Sequence, residues 1–290
     1  MHGSSGRGPK LGHRRLLSDH CRVKRSHPSI VPWRRQEHGR IAHVTSIGFG
    51  VDIGGTGIKG APVDLKRGVL TEKRIRLLTP QPATPEAVGA TVTELVEGFG
   101  WTDEIGCTFP AVITDGVART ASNVDEAWVN TSVRDVVMQA TGCPTVVAND
   151  ADAAGLAEVI FGAAKGVRGL VVVTTLGTGI GSALIFDGQL VPNSELGHIK
   201  LGDVDAETTT SAAARERDGL SYEQWAHRLQ RYFTALEELL WPALFVVGGG
   251  ESKHAERFLP RLSLRTPIVP ASLRNAAGII GAALLAQDAS

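Results

Sequence analysis

Four short stretches of this chain carry residue types spaced for chemistry. The first is Asp52-Ile53-Gly54-Gly55-Thr56-Gly57-Ile58-Lys59, where an acid precedes a run of glycines that closes on a hydroxyl and a cation. Glycine lets backbone N–H groups approach an anion closely, so such a turn suits a phosphate chain. An acid just ahead of it suits a magnesium ion held through water. The second stretch, Leu176-Gly177-Thr178-Gly179-Ile180, repeats the design. The third, Asn149-Asp150-Ala151-Asp152, places acids where an apolar strand gives way to a helix, the position at which open α/β sheets put their chemistry. A purely structural reading makes Asp150 or Asp152 a helix N-cap. The fourth, Glu195-Leu196-Gly197-His198, sets an acceptor and an imidazole three apart, suited to a polyhydroxy ligand.

These stretches need strands and helices to hold them. Phe49, Val51 and Ile53 alternate as a strand before the first glycine turn, and a strand continues to Val63. An alternating strand is expected over Leu70–Leu77. Strand-turn-strand here argues against a Walker-type loop or a Rossmann fingerprint, which need strand-turn-helix. Helices are expected over 85–99, 133–141, 153–161, 211–219, 221–240 and 275–286. Core strands are expected at 105–109, 145–148, 169–175, 183–186 and 244–248, the last running into Gly248, Gly249 and Gly250. The class is α/β.

Charge is unevenly spread. Residues 1–47 hold ten of the 30 Lys and Arg, two of the 30 Asp and Glu, and six of the nine His, so the remainder carries a net −8. A folded part of that sign argues against a general nucleic-acid binder. The basic segment lacks a sustained apolar period and reads as an unstructured extension. No apolar run reaches membrane-spanning length and the N-terminus lacks a secretion-signal core. Cys21, Cys107 and Cys143 are too few and too scattered for a disulfide framework or a metal cluster, which points to a cytoplasmic protein.

Taken in order, D-I-G-G-T-G-I-K, T-F-P-A-V, N-V-D-E-A-W, N-D-A-D-A-A-G, T-L-G-T-G-I-G, E-L-G-H and L-F-V-V-G-G-G-E-S-K resemble the ROK family over about residues 48–286. Within it they are most similar to the branch of glucokinases that use polyphosphate. The resemblance implies the duplicated, actin-like (ribonuclease H-like) fold, with two α/β domains and a cleft between them. The domains would span 48–152 and 153–274, with helix 275–286 returning to the first. It implies a homodimer, and phosphoryl transfer to the 6-hydroxyl of glucose from polyphosphate or ATP with Mg2+. Asp150 would be the base. Asn123, Asn149, Glu195 and His198 would hold the sugar. Gly54, Gly55, Thr56 and Gly57, with Gly177, Thr178 and Gly179, would cradle the donor phosphates, and Asp52 would organise magnesium. Gly248 to Gly250 would meet the donor's far end.

Three departures accompany the resemblance. No cysteine follows Cys143, so His198 is not part of the zinc site many relatives have. Pro110-Ala111 stands where Pro-Gly is expected, and Lys200 stands where an acid is more usual. A polyphosphate donor would also need cations along the cleft, for which Lys59, Lys165, Arg168, Arg217 and Lys253 are candidates. A strictly ATP-dependent sugar kinase, a sugar-sensing repressor and a non-catalytic sugar binder are the competing readings. The repressor would need an N-terminal helix-turn-helix, which His27-Pro28 and Val31-Pro32 interrupt.

Overall fold

The alternation around the first glycine turn produces a hairpin, Ile47–Ile53 (β1) against Ile58–Asp64 (β2). The computed structural model describes residues 47–121 and 124–289. The expected extension lies outside these residues except for Ile47, which opens β1, and so does Asn123. Leu70–Leu77 is not one strand: Val69–Leu70 (β3) and Ile75–Leu77 (β4) both pair with β2, separated by a turn. Pro85–Glu97 (α1) follows, with Thr84 accepting from Ala87 N–H as its cap and Val88, Val92, Leu95 and Val96 buried.

Ile105–Phe109 (β5) runs parallel to β1, and a small hairpin, Ile113–Thr114 (β6) with Val117–Ala118 (β7), follows it. Val133–Thr141 (α2) ends on Gly142 in the left-handed conformation that closes a helix. Thr145–Asn149 (β8) completes a sheet ordered β3-β2-β1-β5-β8, with β4 also on β2.

Asp150–Ile160 (α3) starts three residues earlier than the sequence pattern suggests and runs unbroken past residue 152. Its cap is Asn149, whose Oδ1 accepts from the N–H groups of Ala151 and Asp152. Neither aspartate caps the helix: Asn149 already occupies that position, and both acids fall in the first helical turn.

The second sheet repeats the first. Leu170–Leu176 (β9) and Ile180–Phe186 (β10) form an antiparallel hairpin around Gly177–Gly179, with Gln189–Val191 (β11) on its edge. Lys200–Leu201 (β12) and Val204–Asp205 (β13) pair separately, leading to Ala206–Thr210 (α4), Ala212–Arg217 (α5) and Tyr222–Leu240 (α6). Leu244–Gly248 (β14) lies parallel to β9, and Ile268–Pro270 (β15) parallel to β14, for the order β11-β10-β9-β14-β15.

Ala277–Ala289 (α7) packs on α3, β1 and β5. The approach is backbone to backbone. A methyl group at Gly50 would lie 1.9 Å from Ile279 O, and one at Gly106 would lie 1.8 Å from Ala282 O. Two sheet glycines and a helix of small residues thus bring α7 beside the strands that carry the first turn. Under the second sheet, α6 buries Trp225, Leu229, Tyr232, Phe233 and Leu236 against Phe245 of β14. Each such side chain contributes about 1.5–3 kcal/mol by leaving water.

Candidate active site

Strand register builds the first part of the site. Asp52 pairs with Lys59 across the antiparallel ladder and with Thr108 across the parallel one. Residues opposite each other on a sheet share a face. The Lys59 ammonium therefore reaches Asp52 Oδ2 at 3.0 Å, and the Thr108 hydroxyl donates to Oδ1 at 3.0 Å. In the duplicate hairpin Thr175 pairs with Gly181 where Asp52 pairs with Lys59, so the fold is repeated and the charge is not.

Each glycine turn closes on itself, Gly54 N–H to Gly57 O at 3.2 Å and Gly177 N–H to Gly179 O at 3.0 Å. Thr79 donates to Gly54 O behind the first turn. Glu207 accepts from Ile180 N–H at 2.7 Å behind the second, so close that a methyl group on Gly179 would collide with its carboxylate.

Both turns open on one cavity of about 520 Å³. Gly54, Gly55 and Thr56 line one part and Gly177, Thr178 and Gly179 another, with Gly248, Gly249 and Gly250 nearby. Asp52, Lys59, Asn149, Asp150, Glu195 and His198 of the expected set line it as well. Gly57 is buried behind the turn, beneath Arg76, and does not line the cavity.

Asp150 stands in the first turn of α3, half-buried, with Oδ1 accepting from Ala151 N–H at 2.9 Å. Burial and, secondarily, the Asp52 charge raise its pKa to about 6. Asn149 is more committed than a free ligand group. Its Oδ1 caps α3, and its Nδ2 donates to Ala111 O at 3.0 Å, which leaves one amide N–H. Ala111 is buried and, with Pro110, lines the cavity.

Glu195 is held above the usual carboxylate range by burial, opposed by the neighbouring His198. His198 Nδ1 lies 3.2 Å from Asp205 Oδ2 and its Nε2 is 4.0 Å from Glu195. A carboxylate beside Nδ1 favours the tautomer with its proton there, leaving Nε2 free to accept. Lys200 shares the same Asp205 oxygen at 3.5 Å, so its unusual charge is absorbed by the acid that orients His198.

Sequence reading missed Glu158, Glu207, Thr120, Arg274 and Asn275, all of which line the cavity. Glu158 is buried and accepts from Ala163 N–H, Ser272 N–H and hydroxyl, and Leu273 N–H, which ties α3 to the segment before α7. Of the five candidate donor cations only Lys59 lines the cavity. Arg217 is exposed and engaged with Asp218 at 2.7 Å; Lys165, Arg168 and Lys253 lie elsewhere.

The donor set suits a magnesium ion. Among the described residues each Asp52 oxygen has one hydrogen-bond partner, which leaves a lone pair for a metal-bound water. No group of three or more His, Cys, Asp or Glu among the described residues is arranged to hold a metal. Magnesium characteristically binds through one or two carboxylates, its own waters and substrate phosphates.

Two glycine hairpins in duplicated sheets, facing one acid-lined cavity, define the actin-like fold of the sugar kinases. The ROK family signature matches residues 48–213. A polyphosphate glucokinase of Mycobacterium tuberculosis is 51% identical over 238 residues, covering 82% of this chain and 90% of that protein. The structure of an inorganic polyphosphate/ATP-glucomannokinase from Arthrobacter sp. superposes with a TM-score of 0.80 at 55% identity, covering 82% of this chain and 97% of the other. A Streptomyces griseus ROK family glucokinase, solved with glucose and AMPPNP, gives 0.72 at 26% identity, covering 83% and 99%. The chain belongs to the ROK family. No helix among the described residues is long and apolar enough to cross a membrane.

Proposed function

We propose that this protein is a glucokinase that transfers the terminal phosphoryl group of inorganic polyphosphate, or of ATP, to the 6-hydroxyl of glucose. The observation that carries the mechanism is Asp150, a half-buried carboxylate with its pKa raised to about 6, in one cavity with both glycine turns. Its carboxylate accepts the proton as the glucose O6 attacks the terminal phosphorus. The bond from that phosphorus to its bridging oxygen breaks, and the donor leaves one phosphate shorter. A base with this pKa is ionised at neutral pH yet more basic than an ordinary aspartate, which suits proton abstraction.

Glu195 and His198 hold the other sugar hydroxyls as acceptors, and the remaining Asn149 N–H donates to one. The two turns bind donor phosphates through backbone N–H groups, with Thr56 and Thr178 adding hydroxyls. Asp52 is the residue that would hold magnesium, through water; the ion supplies neutralisation of donor charge. Residues 48–152 with the last helix, and 153–274, act as two lobes that close over both substrates and exclude water that would otherwise take the phosphoryl group. The free, buried Cys107 and Cys143 fit a reducing cytoplasm. The family resemblance carries a homodimer, which solution mass would test.

The test is glucose 6-phosphate formation with polyphosphate or ATP as sole donor, in wild type and Asp150→Asn. Loss of a general base costs about 10²–10⁴ in turnover. Unchanged turnover in the variant, with glucose bound as before, would remove Asp150 from the mechanism. Activity with ATP alone would leave a sugar kinase with a different donor.

A further inference from the structure

A strand that the sequence pattern did not resolve brings unexpected charge to the donor side. In β4, Arg76 pairs with Lys59, which pairs with Asp52, which pairs with Thr108. One row of side chains therefore runs across the sheet from Arg76 to the acid beside the first glycine turn. The Arg76 guanidinium lies flat on that turn. Its Nη2 donates to Thr56 O at 3.3 Å, and a methyl group on Gly57 would sit 2.9–3.1 Å from its Nε, Nη2 and Cζ. Gly57 is thus the residue that leaves room for the guanidinium.

Two residues earlier, Arg74 donates from Nη1 to Asn275 O at 3.1 Å, joining this edge to the turn before α7. The neighbour of Asn275 is Arg274, which lines the cavity and holds φ at +51°, a left-handed conformation that is unusual for arginine. Non-glycine residues in that region cluster at functional sites, where the strain is offset by the surrounding structure.

Among the described residues, none of Arg74, Arg76 and Arg274 forms an ion pair. Arg76 and Arg74 each spend one of five guanidinium N–H groups on a carbonyl. Arg274 lines the cavity, whereas Arg76 and Arg74 stand just outside it, each bonded to a carbonyl of a lining residue, Thr56 and Asn275. In a segment of net charge −8 beyond the extension, three uncompensated arginines so placed call for an anion. Guanidinium forks match phosphate oxygens in pairs.

We propose that Arg74, Arg76 and Arg274 form a cationic rim, beside the first glycine turn, that binds the trailing phosphates of a linear polyphosphate chain. The proposal rests on the donor reading above. The turns hold the phosphates next to the transferred group, and the rim holds those further along the same chain. A triphosphate ends before it can use the full rim, so the rim selects for chain length.

The experiment uses the full chain, with long-chain polyphosphate, tripolyphosphate and ATP as separate donors at matched magnesium and ionic strength. Arg74→Gln/Arg76→Gln and, independently, Arg274→Gln are compared with wild type. The expected result is a rise of about tenfold or more in the ratio of the long-chain KM to the tripolyphosphate KM, because charge-assisted hydrogen bonds are lost. The long-chain KM should also lose part of its salt dependence, as it does when exposed charges are removed. Arg274→Gln guards against misreading, since that residue makes no bond to the glycine turn among the described residues. An equal rise for all three donors would make the arginines mere supports of the turn and overturn the proposal, as would an unchanged ratio in both variants. A wild type active with ATP and inert with both polyphosphates would instead overturn the donor reading itself.

Discussion

Asp152 stands two residues after Asp150, and its substitution by asparagine gives a pH-dependent gain in stability. The side chain is 2% exposed. Oδ2 accepts from Asn193 N–H at 2.7 Å, whereas Oδ1 has no hydrogen-bond partner among the described residues. Burial first, then the charges of Glu195 and Asp150, raise its pKa from 3.8 to about 7, against the opposing Asn193 bond. The folded state therefore holds this proton more tightly than the unfolded chain. Below about pH 4 both states are protonated and there is no penalty. Between about pH 4 and 7 the unfolded chain ionises first and stability falls; above about 7 the loss is constant. At about 1.4 kcal/mol per pKa unit the ceiling is about 4 kcal/mol. Asp152→Asn keeps an oxygen for Asn193 N–H and carries no charge. Its stability relative to wild type should climb by about 2–4 kcal/mol between pH 4.5 and 8, with most of the change below pH 7. Urea denaturation of both proteins at half-unit pH steps measures it. Parallel stability profiles would refute the reasoning, because they would mean that Asp152 titrates alike folded and unfolded.

Two further outcomes follow from the same neighbourhood. Because Asp150 must be ionised to take a proton, and burial with the Asp52 charge raises its pKa to about 6, kcat/KM for glucose should fall on the acidic side with a midpoint near pH 6. A limb near pH 4 would mean that the essential group is an ordinary, solvated carboxylate. Asn193 joins the segment before Glu195 to the hairpin after β5: its Nδ2 donates to Ile113 O at 2.7 Å and its Oδ1 accepts from Ile113 N–H at 2.8 Å, at φ +60°. Asn193→Ala loses both bonds and strains the backbone, costing about 2–4 kcal/mol and raising the glucose KM. Asn193→Gly should recover about 1 kcal/mol of it in thermal unfolding, and equal losses in the two variants would remove backbone strain from the account.

Sequence alone determined the parts of this protein that depend on neighbours along the chain. The two glycine hairpins, the amphipathic helices α1 and α6 and the acid at the end of β8 are written in periods of two and 3.6 and in turn residues. All of these act within about ten positions of one another. The same locality explains the errors. Residues 71–74 turn because β3 and β4 each find β2, a pairing that alternation does not encode. The start of α3 moved because Asn149 competes successfully as cap, its Oδ1 reaching two N–H groups at once.

Tertiary structure decided which charges meet. Arg76 lies beside Lys59 through register, Arg74 meets Asn275 across 201 positions, Asn193 clasps Ile113 across 80, and Glu158 reaches Ser272 across 114. Lys165, Arg168, Arg217 and Lys253 were as plausible as donor cations by type, and the fold leaves them away from the cavity. A charge exerts its effect over a few ångströms, and spacing along the chain sets such distances only within one element. Between elements they are set by which sheet edges pair and how closely backbones approach, as α7 does over Gly50 and Gly106. The glycine turns, Asp52, Asp150, Glu195 and His198 were therefore visible in the sequence, whereas Glu158, Glu207 and Arg274, and the partners of every group, became visible only once the chain was folded.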